Sequence, residues 1–123
     1  LPKANKVQIN TALLKIKDAI NDDNGHIQLK PRDKNENTLA ELGYSPTNCF
    51  HEILGLTYKN YCDGPNSNIS RSGSRKGAIW EFGKFVCGIE IYIKIQIIPT
   101  GNNNECVCIS FHRAERDLIY PYA

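Results

Sequence analysis

Between positions 89 and 97 every second residue is isoleucine (Ile89, Ile91, Ile93, Ile95 and Ile97), and the residues between are Glu90, Tyr92, Lys94 and Gln96. Side chains of a β-strand alternate between its two faces, so the isoleucines mark a core face and the polar set marks an open one. Residues 79–86 and 106–112 are similarly rich in β-branched and aromatic side chains and predict strands on either side. Cys87-Gly88 supplies the turn between the first two strands, and the polar stretch 99–104 closes a second hairpin. In the last strand Val107, Ile109 and Phe111 are expected to face the core, with Cys106, Cys108, Ser110 and His112 opposite. Lys84 falls on the core face near the sheet's edge, a position consistent with a β-bulge there.

The first half of the chain has a different period. Ile9, Leu13, Ile16 and Ile20 recur at helical spacing, and the run of Asn, Asp and Gly at 21–25 ends that helix. Residues 26–30 alternate weakly and predict a short edge strand, followed by a polar loop at 31–35. Two short helices follow. One spans 36–42 and stops at Gly43; the other opens with Ser45-Pro46 and ends near Gly55. Residues 57–62 predict a further helical turn. Residues 63–77, dominated by Gly, Ser, Asn and Arg, predict a loop that carries Arg71, Arg75 and Lys76. Helices followed by an antiparallel meander make an α+β fold, with the helices packed on one face of a small C-terminal sheet.

The 123 residues suffice for a single domain, 1–123, with one modest core. A net charge of +2 permits a nucleic-acid partner without requiring one. The five cysteines cannot all pair with one another, and none has C-x-x-C spacing, so reduced thiols in a reducing cytosol are expected. A zinc site would need better ligand spacing. No run approaches the roughly 20 apolar residues that cross a bilayer. No signal peptide is visible, although the chain opens on Leu1 and has no methionine, which leaves room for a removed leader. A cytoplasmic location is the expectation.

Matching the core faces across both hairpins sets Glu81 opposite Lys94, Tyr92 opposite His112 and Lys94 opposite Ser110. One open face then collects Glu81, Tyr92, Lys94 and His112. Cleavage of RNA by its own 2′-OH needs a base, an acid for the leaving 5′-oxygen and cations for the charged transition state. Histidine serves as acid or base near neutral pH. Glu81 serves as a base or as the residue that positions its neighbours. Lys94, Arg113 and Arg116 offer positive charge for phosphate, and Tyr92 can stack on a base or donate to phosphate. No metal or other cofactor is needed. The bland alternative is an ordinary solvated sheet face with cross-strand pairs. His26 and His51 read as surface or helix residues, and Arg71, Arg75 and Lys76 as a solvated loop or a phosphate grip.

Short blocks in a fixed order add to this reading. Gly55-Leu56-Thr57 with Tyr61-Cys62-Asp63-Gly64-Pro65, Ile79-Trp80-Glu81-Phe82-Gly83-Lys84, Ile91-Tyr92-Ile93-Lys94-Ile95 and Ile109-Ser110-Phe111-His112-Arg113-Ala114-Glu115 resemble a group of bacterial toxins, the motility quorum-sensing regulator (MqsR) family of RelE-like mRNA interferases. The likeness spans roughly residues 36–120. It implies helices packed on a small antiparallel sheet, metal-independent endoribonuclease activity on mRNA, and silencing by a co-encoded antitoxin. It also implies a functional tyrosine at Tyr92 with Lys94 beside it. The sequence departs from the family's better-known member at Glu81, where that protein has glutamine, and at His112 and Asp63, where it has lysine. A histidine at 112 suggests more conventional acid–base chemistry. The reading is therefore a type II toxin: an endoribonuclease with His112, Glu81, Tyr92 and Lys94 as catalytic residues and Arg113, Arg116, Arg71, Arg75 and Lys76 as substrate contacts. Its expected partners are a cognate antitoxin and mRNA, free or on the ribosome. Two alternatives stand beside it: a non-catalytic RNA- or protein-binding module using the same face, and a metal hydrolase built on His112, Glu115 and Cys108.

Overall fold

Asn5 and Gln8 set the start of the first helix, α1 (Lys6–Asn21), in a computed structural model that describes residues 1–67 and 77–123. The Asn5 side chain accepts from the backbone of Gln8 at 2.8 Å, and Gln8 accepts in return from Asn5 N–H at 2.9 Å. Two donors that a helix start leaves free are thereby satisfied. Ile9, Leu13 and Ile16 lie on one stripe and are fully or almost fully buried. After α1 come β1 (Ile27–Leu29), α2 (Asp33–Leu42), α3 (Pro46–Leu54), a 3₁₀ turn at Tyr58–Asn60, β2 (Tyr61–Ser67), β3 (Ala78–Val86), β4 (Ile89–Thr100) and β5 (Asn103–Arg113). Gly43 stops α2 at a φ of 69°, a left-handed conformation that favours a residue without Cβ. No helix among the described residues is long and apolar enough to cross a membrane.

The strands form one sheet in the order β1-β5-β4-β3-β2. The α+β class expected from the sequence is the one adopted, and β3, β4 and β5 are the expected meander. Val86 pairs with Ile89, Glu81 with Lys94, Tyr92 with His112 and Lys94 with Ser110. Ile91, Ile93 and Ile95 are completely buried against a core that includes Ile9, Ile16, Ile53, Leu56, Phe82 and Phe111. Fully burying one such side chain contributes about 1.5–3 kcal/mol, so this face anchors the helices to the sheet.

Four expectations need correction besides the facing of β5. The sheet is mixed: β1 runs parallel to β5 and pairs Ile27 with Cys106 and Leu29 with Cys108. The start of the expected loop at 63–77 belongs to β2, which pairs with β3 through two irregularities around Asp63. Its Gly64 and Pro65 read as turn residues, yet Pro is tolerated on an edge strand because its missing N–H faces outward. Third, α2 starts at Asp33 and so takes in Asn35, which had read as loop. Fourth, Lys84 marks no bulge. It stands in regular register opposite Ile91 and forms an ion pair with Glu52 of α3 at 3.0 Å.

The bulge lies instead in β5. Ser110 pairs with Lys94 but Cys108 pairs with Ile95, leaving Ile109 without a partner on β4. One extra residue reverses the facing of everything before it. Cys106 and Cys108 therefore enter the core, and Val107 pairs with Gln96 on the opposite face. The sequence pattern placed Val107 and Ile109 with Phe111 in the core and both cysteines outside.

Candidate functional site

The β5 bulge is held by α2. Asn35, only 1% exposed, donates from Nδ2 to the Ile109 carbonyl at 3.0 Å and accepts from Phe111 N–H at 2.9 Å. One turn on, the Thr38 hydroxyl accepts from Arg113 N–H at 3.0 Å. Below the short β1, α2 thus meets the outer edge of β5 with polar side chains in place of a sixth strand, as buried backbone groups require. Arg32, just before α2, donates from Nη1 to Ser110 Oγ at 2.9 Å and to the Ile109 carbonyl at 3.3 Å. The bulge returns Ser110 and His112 to the face that carries Lys94 and Tyr92.

On that face the Tyr92 and His112 rings meet at 5.5 Å between centroids, inclined at 45°. His112 is 6% exposed. Its Nδ1 lies 2.9 Å from the Arg113 carbonyl. A carbonyl can only accept, so Nδ1 carries a proton and Nε2 is the nitrogen left to exchange one. Nε2 has no hydrogen-bond partner among the described residues. Tyr92 donates its hydroxyl to Glu81 at 2.5 Å. Burial first, and then the Glu81 carboxylate, push the Tyr92 phenol well above its ordinary range, so it acts as a fixed donor.

Glu81 is held from a second side. The Asn66 amide donates to Glu81 and to Asp63, at 3.2 Å each, and bridges two carboxylates on adjacent strands. Burial pushes the Asp63 carboxyl up. The Asn66 amide, the Gly64 N–H and Lys3 outweigh this and hold it below its ordinary value. Lys3 pairs with Asp63 at 3.6 Å and also donates to Asn66. Glu81 is opposite Lys94 in register, but the two share no hydrogen bond or ion pair among the described residues. Lys94 is half-buried and makes neither kind of contact there.

The lower end of the face is covered by the chain's own C-terminal residues. Ala114 N–H donates to the Glu90 carbonyl at 2.9 Å, and Tyr120 donates its hydroxyl to the Glu90 carboxylate at 2.9 Å. Gly83, paired with Tyr92, has no side chain where this segment passes. A Cβ there would come within 2.5 Å of both Leu118 and Tyr120. The segment ends with Tyr122 donating to the Ala4 carbonyl at 2.6 Å.

Of the sequence-predicted residues, Glu81, Tyr92, Lys94 and His112 come together as expected. Arg116 is exposed and near enough to Tyr92 for its charge to act on the phenol. Arg113 does not join them. It follows His112 by one residue, points to the other side and pairs with Glu41 of α2 at 2.5 Å, because alternation sends neighbouring side chains to opposite faces. Arg71, Arg75 and Lys76 lie outside the described residues. His51 is exposed on α3, whereas His26 is half-buried, with Glu105 at 2.7 Å and Asp22 at 3.5 Å. His112, Glu115 and Cys108 do not converge, since Cys108 is buried in the core on the helix side. No group of three or more metal-ligating side chains that could hold an ion occurs among the described residues. All five thiols are free. Burial pushes Cys49, Cys62 and Cys106 up to about 12, which disfavours the reactive thiolate. The residue that sequence reasoning missed is Arg32. Its only sequence signal was a basic residue in a polar stretch.

A cavity of about 850 Å³ opens elsewhere, between α1 and the ends of β2, β3 and β4. Among the described residues Lys15 is the one charged residue in its wall, and none of Glu81, Tyr92, Lys94, His112, Arg113 and Arg116 lines it. The chemistry-bearing cluster lies on the sheet face instead. Comparison with protein-family models, curated proteins and solved structures returns no match to this chain.

Proposed function

We propose that the chain is a metal-independent endoribonuclease that cleaves mRNA by 2′-OH attack, and that it is the toxin of a type II toxin–antitoxin pair. The observation that carries the catalytic part is the direct cross-strand pairing of Tyr92 with His112, with Lys94 and Arg116 nearby. His112 Nε2 takes a proton from the 2′-OH or gives one to the departing 5′-oxygen. These steps form the bond from the 2′-oxygen to phosphorus and break the bond to the 5′-oxygen. Lys94 and Arg116 offset the negative charge that grows on the phosphoryl oxygens. Glu81, tied to Tyr92 and Asn66, positions the tyrosine, whose ring can stack on a base. The toxin assignment, a cytoplasmic location and a cognate antitoxin rest on the motif blocks that resemble the MqsR family.

A non-catalytic module that binds RNA through the same face is the second reading, favoured by the 6% exposure of His112. Induced expression of the wild type beside His112→Ala, with primer extension on total RNA, separates the two. New mRNA cuts and growth arrest in the wild type alone support the enzyme. Arrest by both without cuts supports the binding module. Growth of both strains unaffected, with RNA intact, sinks the toxin reading.

A further inference from the structure

The polar face of the sheet is electrically divided across its width. Toward β2 it carries Asp63 and Glu81, bridged by Asn66, with Lys3 paired to Asp63. Toward β5 it carries Lys94 opposite Ser110, and Arg32 on the Ser110 hydroxyl. Tyr92 and His112 lie next along the same two strands. The C-terminal residues cover the end beyond them, at Gly83 and Glu90.

We infer that Arg32 and Lys94 form a phosphate-binding edge, so that single-stranded RNA runs along β4 and β5 from the Tyr92–His112 pair toward Arg32. Three features converge on that path. Glu81, in excess over the Lys3–Asp63 ion pair, leaves the described part of the β2 side net negative and unfavourable to a polyanion. The C-terminal segment obstructs the Glu90 end. Among the described residues Arg32 uses only Nη1 in its bonds to the protein. Its Nε and Nη2 groups have no partner among the described residues and present the planar fork suited to a phosphate. Lys94 sits across the strand pair from Ser110, where directly opposed Cβ atoms are about 5 Å apart. The two cations therefore bracket one stretch of backbone. Ser110 orients the guanidinium, and the bulge places Ser110. This inference rests on the reading that the face takes RNA, but it does not depend on cleavage.

The test uses a fully 2′-O-methylated RNA oligonucleotide, which binds but offers no 2′-OH for attack. Its affinity for the full chain is measured by fluorescence anisotropy over a series of salt concentrations. For single strands, each phosphate contact contributes about 0.7 to the slope of log affinity against log salt. Arg32→Gln and Lys94→Gln are each expected to lower that slope by about 0.7, and the double variant by about 1.4. Lys15→Gln, on α1, controls for net charge and should leave the slope unchanged. Arg32 also ties down the bulge, so a second readout uses the unaltered protein. The NMR signal of the Arg32 Nε–H group should shift on adding the oligonucleotide. Slopes equal to wild type in both variants, or an unmoved Arg32 signal under saturating oligonucleotide, overturn the inference. So does a wild type that fails to bind the oligonucleotide. The ribonuclease reading stands or falls separately, on whether the wild type cuts unmodified RNA.

Discussion

Asn35 donates its side-chain amide to the carbonyl of Ile109, the residue of β5 that has no partner on β4. The same side chain accepts Phe111 N–H, so a single asparagine satisfies backbone groups on both sides of the bulge. Replacing Asn35 by alanine leaves Phe111 N–H buried and unpaired and weakens the hold on Ile109. A loss of about 2–4 kcal/mol is expected, taking one to two lost buried bonds, read as a lower urea midpoint with an unchanged m-value. Asn35→Asp keeps an acceptor for Phe111 but loses the donor to Ile109, so it should also be destabilising. A midpoint within error of wild type for Asn35→Ala would show that the bulge is held by other means.

Tyr92 spends its hydroxyl on Glu81 and its ring on His112. Tyr92→Phe keeps the ring and removes the donor, leaving half-buried Glu81, among the described residues, with the Asn66 amide alone. The expected cost is about 1 kcal/mol of stability, the net worth of one such bond. Cleavage should fall far less than in His112→Ala, where loss of an acid or base lowers the rate about 10²–10⁴-fold. Purified variants compared on one short RNA check the order. Equal losses in the two variants would mean that the phenol, and not its ring alone, takes part in the reaction.

His26 links the end of α1 to β5. The hydrogen bond to Glu105 raises its pKa above the ordinary 6.5, burial opposes this, and the charges of Glu105 and Asp22 add to the rise. A group whose pKa is higher folded than unfolded binds its proton more tightly in the folded state. Its contribution is complete below the unfolded value and fades as pH rises through the folded one. Urea midpoints of wild type and His26→Gln should therefore differ most below pH 6.5 and converge in alkali. The Asp63 carboxyl, held low, has the opposite sign: its contribution is present above its ordinary 3.8 and fades as pH falls further. A gap between wild type and His26→Gln that widens with rising pH would contradict the ion-pair assignment.

Gly83 leaves room for the C-terminal segment to cross β3. A methyl at this position would clash with Leu118 and Tyr120. Both obstructing atoms are ends of side chains, so the segment should lift while the sheet stays intact. Gly83→Ala is expected to cost about 1–3 kcal/mol, as overpacking does, and to speed proteolytic trimming after Arg116 while the rest of the chain resists. Trimming at the wild-type rate would show that the segment tolerates the methyl.

The sheet's centre was legible because period-two isoleucines leave one choice of core face, and a two-residue turn at Cys87-Gly88 leaves one register. That was enough to bring Glu81, Tyr92, Lys94 and His112 onto one face. The upper half of β5 was misread because its bulge is caused from elsewhere. Val107 and Ile109 look like core residues and Cys106 and Cys108 do not, until Asn35 draws the chain out of step. Asn35 itself was hidden, since a buried asparagine and a loop asparagine are the same letter and its role depends on backbone groups 74 and 76 residues away. β2 was hidden by Gly64 and Pro65, whose turn chemistry is compatible with an irregular edge. Arg113 was misplaced by proximity in sequence to His112, where alternation alone would have put it on the other side.

The way α2 meets β5 also bears on how the protein behaves when crowded. A long strand with an open flank is a template on which other chains can add and begin to aggregate. Here the flank of β5 is occupied by β1 above and by Asn35 and Thr38 below. The outer strands that remain are β1, three residues long, and β2, interrupted by Pro65 and by its irregular pairing. Neither offers a neighbour an unbroken row of donors and acceptors. A sheet whose centre is almost pure isoleucine is thereby kept from recruiting strands from its own copies.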